Sequence, residues 1–265
     1  MTRRYATPPG GLPGPTALTT DTAVFTEAYA VIPRGALRDI VASRLPHWRA
    51  SRAWVLARPL SGFAETFAET IVEIAPGGGC DTPEAEPEAE SALFVLDGRL
   101  ALTLDGAGHD LAPGGFAYLA PGADWRVETP DGACLVWIRR RHLRVAGLGP
   151  PDSFVTAETA HEPEPMPGFG DAWTTTRFMD PEDLRHDMHV TVVGFAPGGA
   201  IPFAETHVME HGLYVLEGKA VYRLNRDWVE GEAGDFMWLR AFCPQACYAG
   251  GPGPFRYLLY KDVNR

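Results

Sequence analysis

A chain of 265 residues with 34 acidic and 23 basic side chains, net charge −11, offers no basic surface to a polyanion, so a nucleic-acid partner is not expected. Its 29 glycines and 24 prolines fall at short intervals between apolar runs, which excludes a helical bundle and points to short strands joined by turns, in one large domain or two. Four cysteines make no disulfide framework at this length, no apolar run reaches the roughly 18–20 residues of a membrane span, and no apolar core follows the early arginines, so a cytoplasmic protein without a membrane partner is expected.

In chain order, residues 1–24 are rich in Pro, Gly and Thr and read as an N-terminal arm without a core. Strand signals start at Phe25, with "YAVIP", "RAWVLARP" and "ETFAETIVEIAPGG". The acidic run Glu84–Glu90 reads as a solvated loop, and Arg139-Arg140-Arg141 as a solvated strand end. Residues 147–171, with "GLGPPDSFVTAETAHEPEPMPGFG", read as a linker. On either side the sequence repeats weakly. "EIAPGGG" from Glu73 matches "GFAPGGA" from Gly194, "ALFVLDGRLALTLDG" from Ala92 matches "GLYVLEGKAVYRLNR" from Gly212, and "PGGFAYLAP" from Pro113 matches "AGDFMWLRA" from Ala233. An offset of 120 or 121 residues is a duplicated domain rather than a solenoid unit. Alternating apolar and polar positions with "DG" and "EG" turns predict an all-β jelly-roll barrel in each half, residues 25–146 and 172–265.

The second half contains "ETHVMEH", Glu205 to His211. A helix would put His207 and His211 on one face, but Pro202 upstream, Gly212 downstream and the strand pattern beyond leave no room for one. A single straight strand would spread Glu205 and His211 over about 20 Å, too far for one ion. The consistent reading is a bend: Glu205 and His207 at one strand end, a turn through Val208–Glu210, and His211 opening the next strand.

This spacing resembles the first cupin motif, G-x5-H-x-H-x3,4-E-x6-G, with Glu205 in place of the first His and His211 in place of the Glu, between Gly199 and Gly218. The second motif resembles the stretch from Gly234, with Gln245 where a His is usual. The resemblance implies a bicupin, two tandem jelly-roll β-barrels, with metal ligands Glu205, His207, His211 and Gln245. The matching positions of the first half hold Ala85, Pro87, Ser91 and either Trp125 or Arg126, so that half is expected to be metal-free.

The set Glu, His, His, Gln behind an empty first half, with Pro244-Gln245 and the ending Tyr260-Lys261-Asp262 through Arg265, resembles the (S)-ureidoglycine aminohydrolase family of allantoin degradation. That resemblance implies Mn²⁺, hydrolysis of (S)-ureidoglycine to (S)-ureidoglycolate and ammonia, and a homo-oligomer. It also implies Glu205 and Lys261 as catalytic residues, with Glu205, Gln245, Tyr257, Lys261 and Tyr222 contacting substrate. Two imidazoles with two oxygen donors independently suit a fairly hard octahedral ion better than tetrahedral zinc. Tyr257 and Lys261, four apart on one strand, share a face. Two other readings stay open at this point: another metal-cupin enzyme acting on a small carboxylate, such as a dioxygenase or isomerase, and a non-catalytic ligand-binding bicupin. His47, His109, His142, His161, His186 and His189 show no constellation and read as structural or surface residues.

Overall fold

The computed structural model describes residues 23–37, 42–59 and 62–263. Most of the expected arm, and Asn264 and Arg265 of the ending, lie outside the described residues. The first half supplies β1 (Val24–Phe25), β2 (Tyr29–Ile32), β3 (Arg49–Ala57), β4 (Ala68–Cys80), β5 (Ala89–Gly98), β6 (Leu100–Leu104), β7 (Ala107–Leu111), β8 (Gly115–Leu119), β9 (Trp125–Glu128) and β10 (Ala133–Arg141). The segment read as a linker holds β11 (Phe154–Ala157) and β12 (Glu164–Met166). The second half supplies β13 (Gly170–Arg177), β14 (Met188–Phe195), β15 (Ala200–Glu205), β16 (His211–Glu217), β17 (Lys219–Leu224), β18 (Asp227–Glu232), β19 (Phe236–Leu239), β20 (Gln245–Tyr248) and β21 (Phe255–Asp262). Among the described residues no helix is long and apolar enough to cross a membrane.

The strands form the expected two barrels. In the first, one nine-stranded sheet runs β11-β8-β5-β10-β4-β9-β6-β7, with β3 on β4. In the second, an eight-stranded sheet runs β1-β2-β19-β16-β21-β14-β13-β12 and faces a four-stranded sheet β15-β20-β17-β18. Two crossings were not visible in the sequence. β2, from the first half, pairs with β19 of the second, Trp238 opposite Ala30. The linker is divided as well: β11 pairs with β8, and β12 with β13.

Strand alternation divides the apolar side chains into three cores. Odd positions of β10 and β5, such as Leu135, Trp137, Leu93 and Val95, fill the first barrel. Leu213, Val215, Val193, Phe255 and Tyr257 fill the second. The alternate positions, among them Phe94, Val136, Ile138, Val190, Tyr214, Trp238, Leu258 and Tyr260, form the layer between the barrels. Phe236 and Trp238 pack there and Met237 inside the second barrel.

Polar groups pin that layer. Alternation turns Arg140 into it, between Arg139 and Arg141, so the expected solvated strand end is only partly solvated: Arg140 is buried. Its guanidinium lies 3.0 Å from Asp187 and 3.6 Å from Glu90, and donates to the Asp187 carbonyl at 2.7 Å. Glu90, read with the solvated acidic loop, is fully buried because it already belongs to β5; it accepts from the Tyr118 hydroxyl at 2.5 Å. Glu210 makes a second anchor. Its carboxylate accepts from the Glu65 and Thr66 backbone N–H groups, the Thr66 hydroxyl and the Trp238 indole. This ties the turn before β16 to the first half, and Gly212 lets the halves close: a Cβ there would meet the Phe67 ring at 2.7 Å and Glu69 Oε2 at 2.8 Å.

Candidate metal centre

The bend read from the sequence is present: β15 ends at Glu205, a bend occupies Val208 and Met209, and His211 opens β16. Gln245 is the first residue of β20 and pairs with Glu205. The Phe242 backbone N–H donates to the His207 carbonyl at 2.6 Å, which fixes the loop that carries this imidazole. The four side chains converge. His207 Nε2 lies 3.3 Å from Glu205 Oε1, Gln245 Nε2 lies 3.4 Å from the same oxygen, and the two imidazole centroids are 5.1 Å apart. His211 and Gln245 are buried, whereas His207 is partly open.

The donor chemistry fits a divalent ion. Burial, with His207 and Lys261 nearby, holds His211 down to about 3, so its imidazole is neutral, the form that ligates metal. A carboxylate and an amide oxygen complete a mixed N/O set. Rotating the Gln245 amide would present its oxygen in place of the nitrogen now facing Glu205.

The cluster opens onto a cavity of about 180 Å³ inside the second barrel. Glu205, His207, His211, Gln245, Tyr257 and Lys261 all line it, with Trp173, Leu213 and Leu259 as apolar wall. Four of the five expected catalytic and binding positions are therefore joined by His207 and His211 around one space. Tyr222 is not among the lining residues. It is fully buried behind Tyr257 and Cys247, with its hydroxyl facing both. Lys261 stands opposite His211 on the neighbouring strand. Burial, then the Arg177 charge, lowers its ammonium below the usual lysine range. Burial raises the Tyr257 hydroxyl, keeping it a neutral donor. All four cysteines are buried and free, in keeping with structural thiols.

Two other features compete for attention. A larger open cleft of about 820 Å³ lies across the Val208–Glu210 turn, but it is lined by no histidine. Glu90, His142 and Asp187 bring three ligand-type atoms within 4.8 Å of one another between the barrels. Arg140 already supplies the cation there, so we read this group as an ion-pair network.

The first barrel repeats the backbone of the site without its donors. Ser91 opposes Leu119 as His211 opposes Leu239, and Trp125 opposes Leu104 as Gln245 opposes Leu224. The register thus selects Trp125 over Arg126. Arg139 opposes Ser91 as Lys261 opposes His211. The sequence repeat missed this last match because the offset has grown to 122 residues there.

Residues 191–260 match the Cupin_2 cupin-domain family. The chain is 30% identical over 238 residues to an (S)-ureidoglycine aminohydrolase of Escherichia coli K12, covering 88% of this chain and 87% of that protein. It is also 30% identical over 226 residues to a rice protein described as a probable (S)-ureidoglycine aminohydrolase, covering 85% of this chain and 71% of that one. Among solved structures, a Pseudomonas aeruginosa protein described as glyoxylate-induced is 62% identical with a TM-score of 0.91, covering 100% of this chain and 97% of that one. The 30% identity to the Escherichia coli (S)-ureidoglycine aminohydrolase over more than four fifths of both chains, on a fold that gathers the Glu, His, His, Gln set in one barrel, places this chain in the (S)-ureidoglycine aminohydrolase family, hydrolases acting on a carbon–nitrogen bond.

Proposed function

We propose that the protein hydrolyses (S)-ureidoglycine to (S)-ureidoglycolate and ammonia, using Mn²⁺ held by Glu205, His207, His211 and Gln245. The observation that carries this reading is the convergence of those four side chains on a cavity that Lys261 and Tyr257 also face. When bound, the ion supplies Lewis-acid charge stabilisation and fixes the reacting carbon.

The chain's own groups do the rest. The Lys261 ammonium, opposite His211, pairs with the substrate carboxylate or passes a proton to the leaving amine. Its lowered proton affinity suits that transfer. Glu205, partly exposed to the cavity, takes the proton of the attacking water. The carbon–nitrogen bond breaks, the carbon gains the hydroxyl, and the nitrogen leaves as ammonia. Tyr257 donates its neutral hydroxyl to the substrate, with Gln245 beside it. Tyr222 acts through Tyr257, which it backs. Trp173, Leu213 and Leu259 restrict water.

In this reading residues 25–146 form the metal-free cupin and 172–265 the catalytic one. The strongly acidic charge and small cavity support a small-molecule substrate over nucleic acid or membrane. Four buried free thiols suit a reducing, cytoplasmic setting for this step of allantoin degradation. Exposed Trp228, Phe203 and Tyr248 on the four-stranded sheet suit a homo-oligomer. The test is an enantiomer-resolved assay of metal-stripped and Mn²⁺-loaded protein on fresh ureidoglycine. Fast, metal-dependent ammonia release with circularly dichroic ureidoglycolate supports the reading. Ammonia at the spontaneous rate with racemic product removes it.

A further inference from the structure

His189 gave no signal in the sequence. In the structure it lines the same cavity as the four-donor centre, on β14. It stands opposite Lys261, which in turn stands opposite His211, so the three side chains form one row across β14, β21 and β16. At about 4.8 Å per strand, His189 lies roughly 10 Å across the sheet from His211. Alternation turns it into the barrel together with Thr191 and Val193.

Two observations mark it as more than packing. The Nε2 atom is buried and has no hydrogen-bond partner, a costly state for a polar atom that a bound ligand would relieve. Its counterpart in the first barrel is Ala68, which opposes Arg139 as His189 opposes Lys261. The imidazole therefore goes with the half that has donors. Burial, and the Lys261, His186 and Arg177 charges, hold it down to about 4, so it is neutral and offers one donor and one acceptor nitrogen.

A substrate held by its amine and carboxylate beside His211 and Lys261 has one further polar group, an uncharged urea. We infer that His189 is a substrate-binding residue whose Nε2 hydrogen-bonds that urea end, setting specificity at the far side of the cavity. This rests on the aminohydrolase reading above. A neutral imidazole matches a neutral amide, whereas the carboxylate is served by the Lys261 cation.

The test is calorimetric binding of two probes to Mn²⁺-loaded protein: N-carbamoylglycine, which has the carboxylate and the urea but no leaving amine, and glycine, which lacks the urea. His189→Ala should weaken N-carbamoylglycine binding about tenfold or more and leave glycine binding unchanged. His189→Gln, which keeps a donor and an acceptor near Nε2, should recover part of the loss, with manganese content and near-ultraviolet dichroism unchanged in both. Equal losses for both probes, no loss for N-carbamoylglycine, or wild-type protein that does not bind N-carbamoylglycine would overturn the inference. Wild-type turnover of ureidoglycine is read separately. A urea-selective loss in His189→Ala without wild-type turnover would remove the reaction and leave the urea site standing.

Discussion

The two barrels share a backbone register and differ in what they place on it. Where the second has His211, Gln245, Lys261 and His189, the first has Ser91, Trp125, Arg139 and Ala68. In the first barrel a pocket of about 300 Å³ beside Ser91 and Trp125 is lined by no histidine, and the side chains around it engage one another. Trp125 meets Trp137 edge-on at 5.8 Å, and the Trp137 indole donates to the Ser91 hydroxyl at 3.2 Å. Arg139 lies 4.8 Å over the Trp137 ring and makes two hydrogen bonds to Glu84, at 2.6 and 2.7 Å. Ser91, Trp137, Arg139 and Glu84 are thus partnered with one another within the protein. In the second barrel His189 Nε2 is buried with no partner. A binding site keeps its hydrogen-bonding capacity unspent, and a structural copy uses it internally.

The largest expected effect comes from deleting a ligand in one barrel and its counterpart in the other. His211→Ala should lose bound manganese by mass spectrometry and about three orders of magnitude or more in turnover. Ser91→Ala should keep both. Lys261→Ala and Arg139→Ala sharpen the same contrast. The first should retain metal and lose about 10²–10⁴-fold in kcat. The second should leave kcat unchanged. Unchanged turnover in metal-loaded Lys261→Ala would remove that lysine from the mechanism.

The halves also depend on each other. Arg140→Ala would leave Glu90 and Asp187 buried without their cation and should cost about 3–5 kcal/mol in denaturant unfolding, with metal affinity retained in the folded fraction. A smaller, pH-dependent effect belongs to Glu69, which faces the layer between the barrels with neither oxygen partnered. Burial pushes it from 4.5 to about 8. The folded state thus holds this proton more tightly than the unfolded one. Its contribution is greatest below about 4.5 and is lost as pH rises through about 8. Glu69→Gln does not titrate, so its melting temperature should gain on wild type between pH 5 and 8 and hold that lead above. A constant difference across the range would assign Glu69 a partner.

The sequence carried the duplication, the bend and the donor set, because each is a local matter of spacing and alternation. It carried less of what depends on which sheet face meets which barrel. Arg139, Arg140 and Arg141 look alike in a string, yet successive side chains point into the first barrel, into the layer between barrels, and into solvent. Glu90 looked like its acidic neighbours until β5 took it inside. His189 has His186 and Asp187 near it in the string, but neither lines its cavity. Its companions, Lys261 and His211, are brought beside it only by pairing of β14, β21 and β16. The pairing of β2 with β19 is likewise nonlocal, joining residues about 200 positions apart.

The most direct test of a site confined to one barrel is anomalous diffraction at the manganese edge on crystals of the Mn²⁺-loaded protein. A single peak per chain among Glu205, His207, His211 and Gln245, absent in His211→Ala, is the predicted result. A peak in the first barrel, or one at Glu90, His142 and Asp187 that survives the substitution, would contradict it.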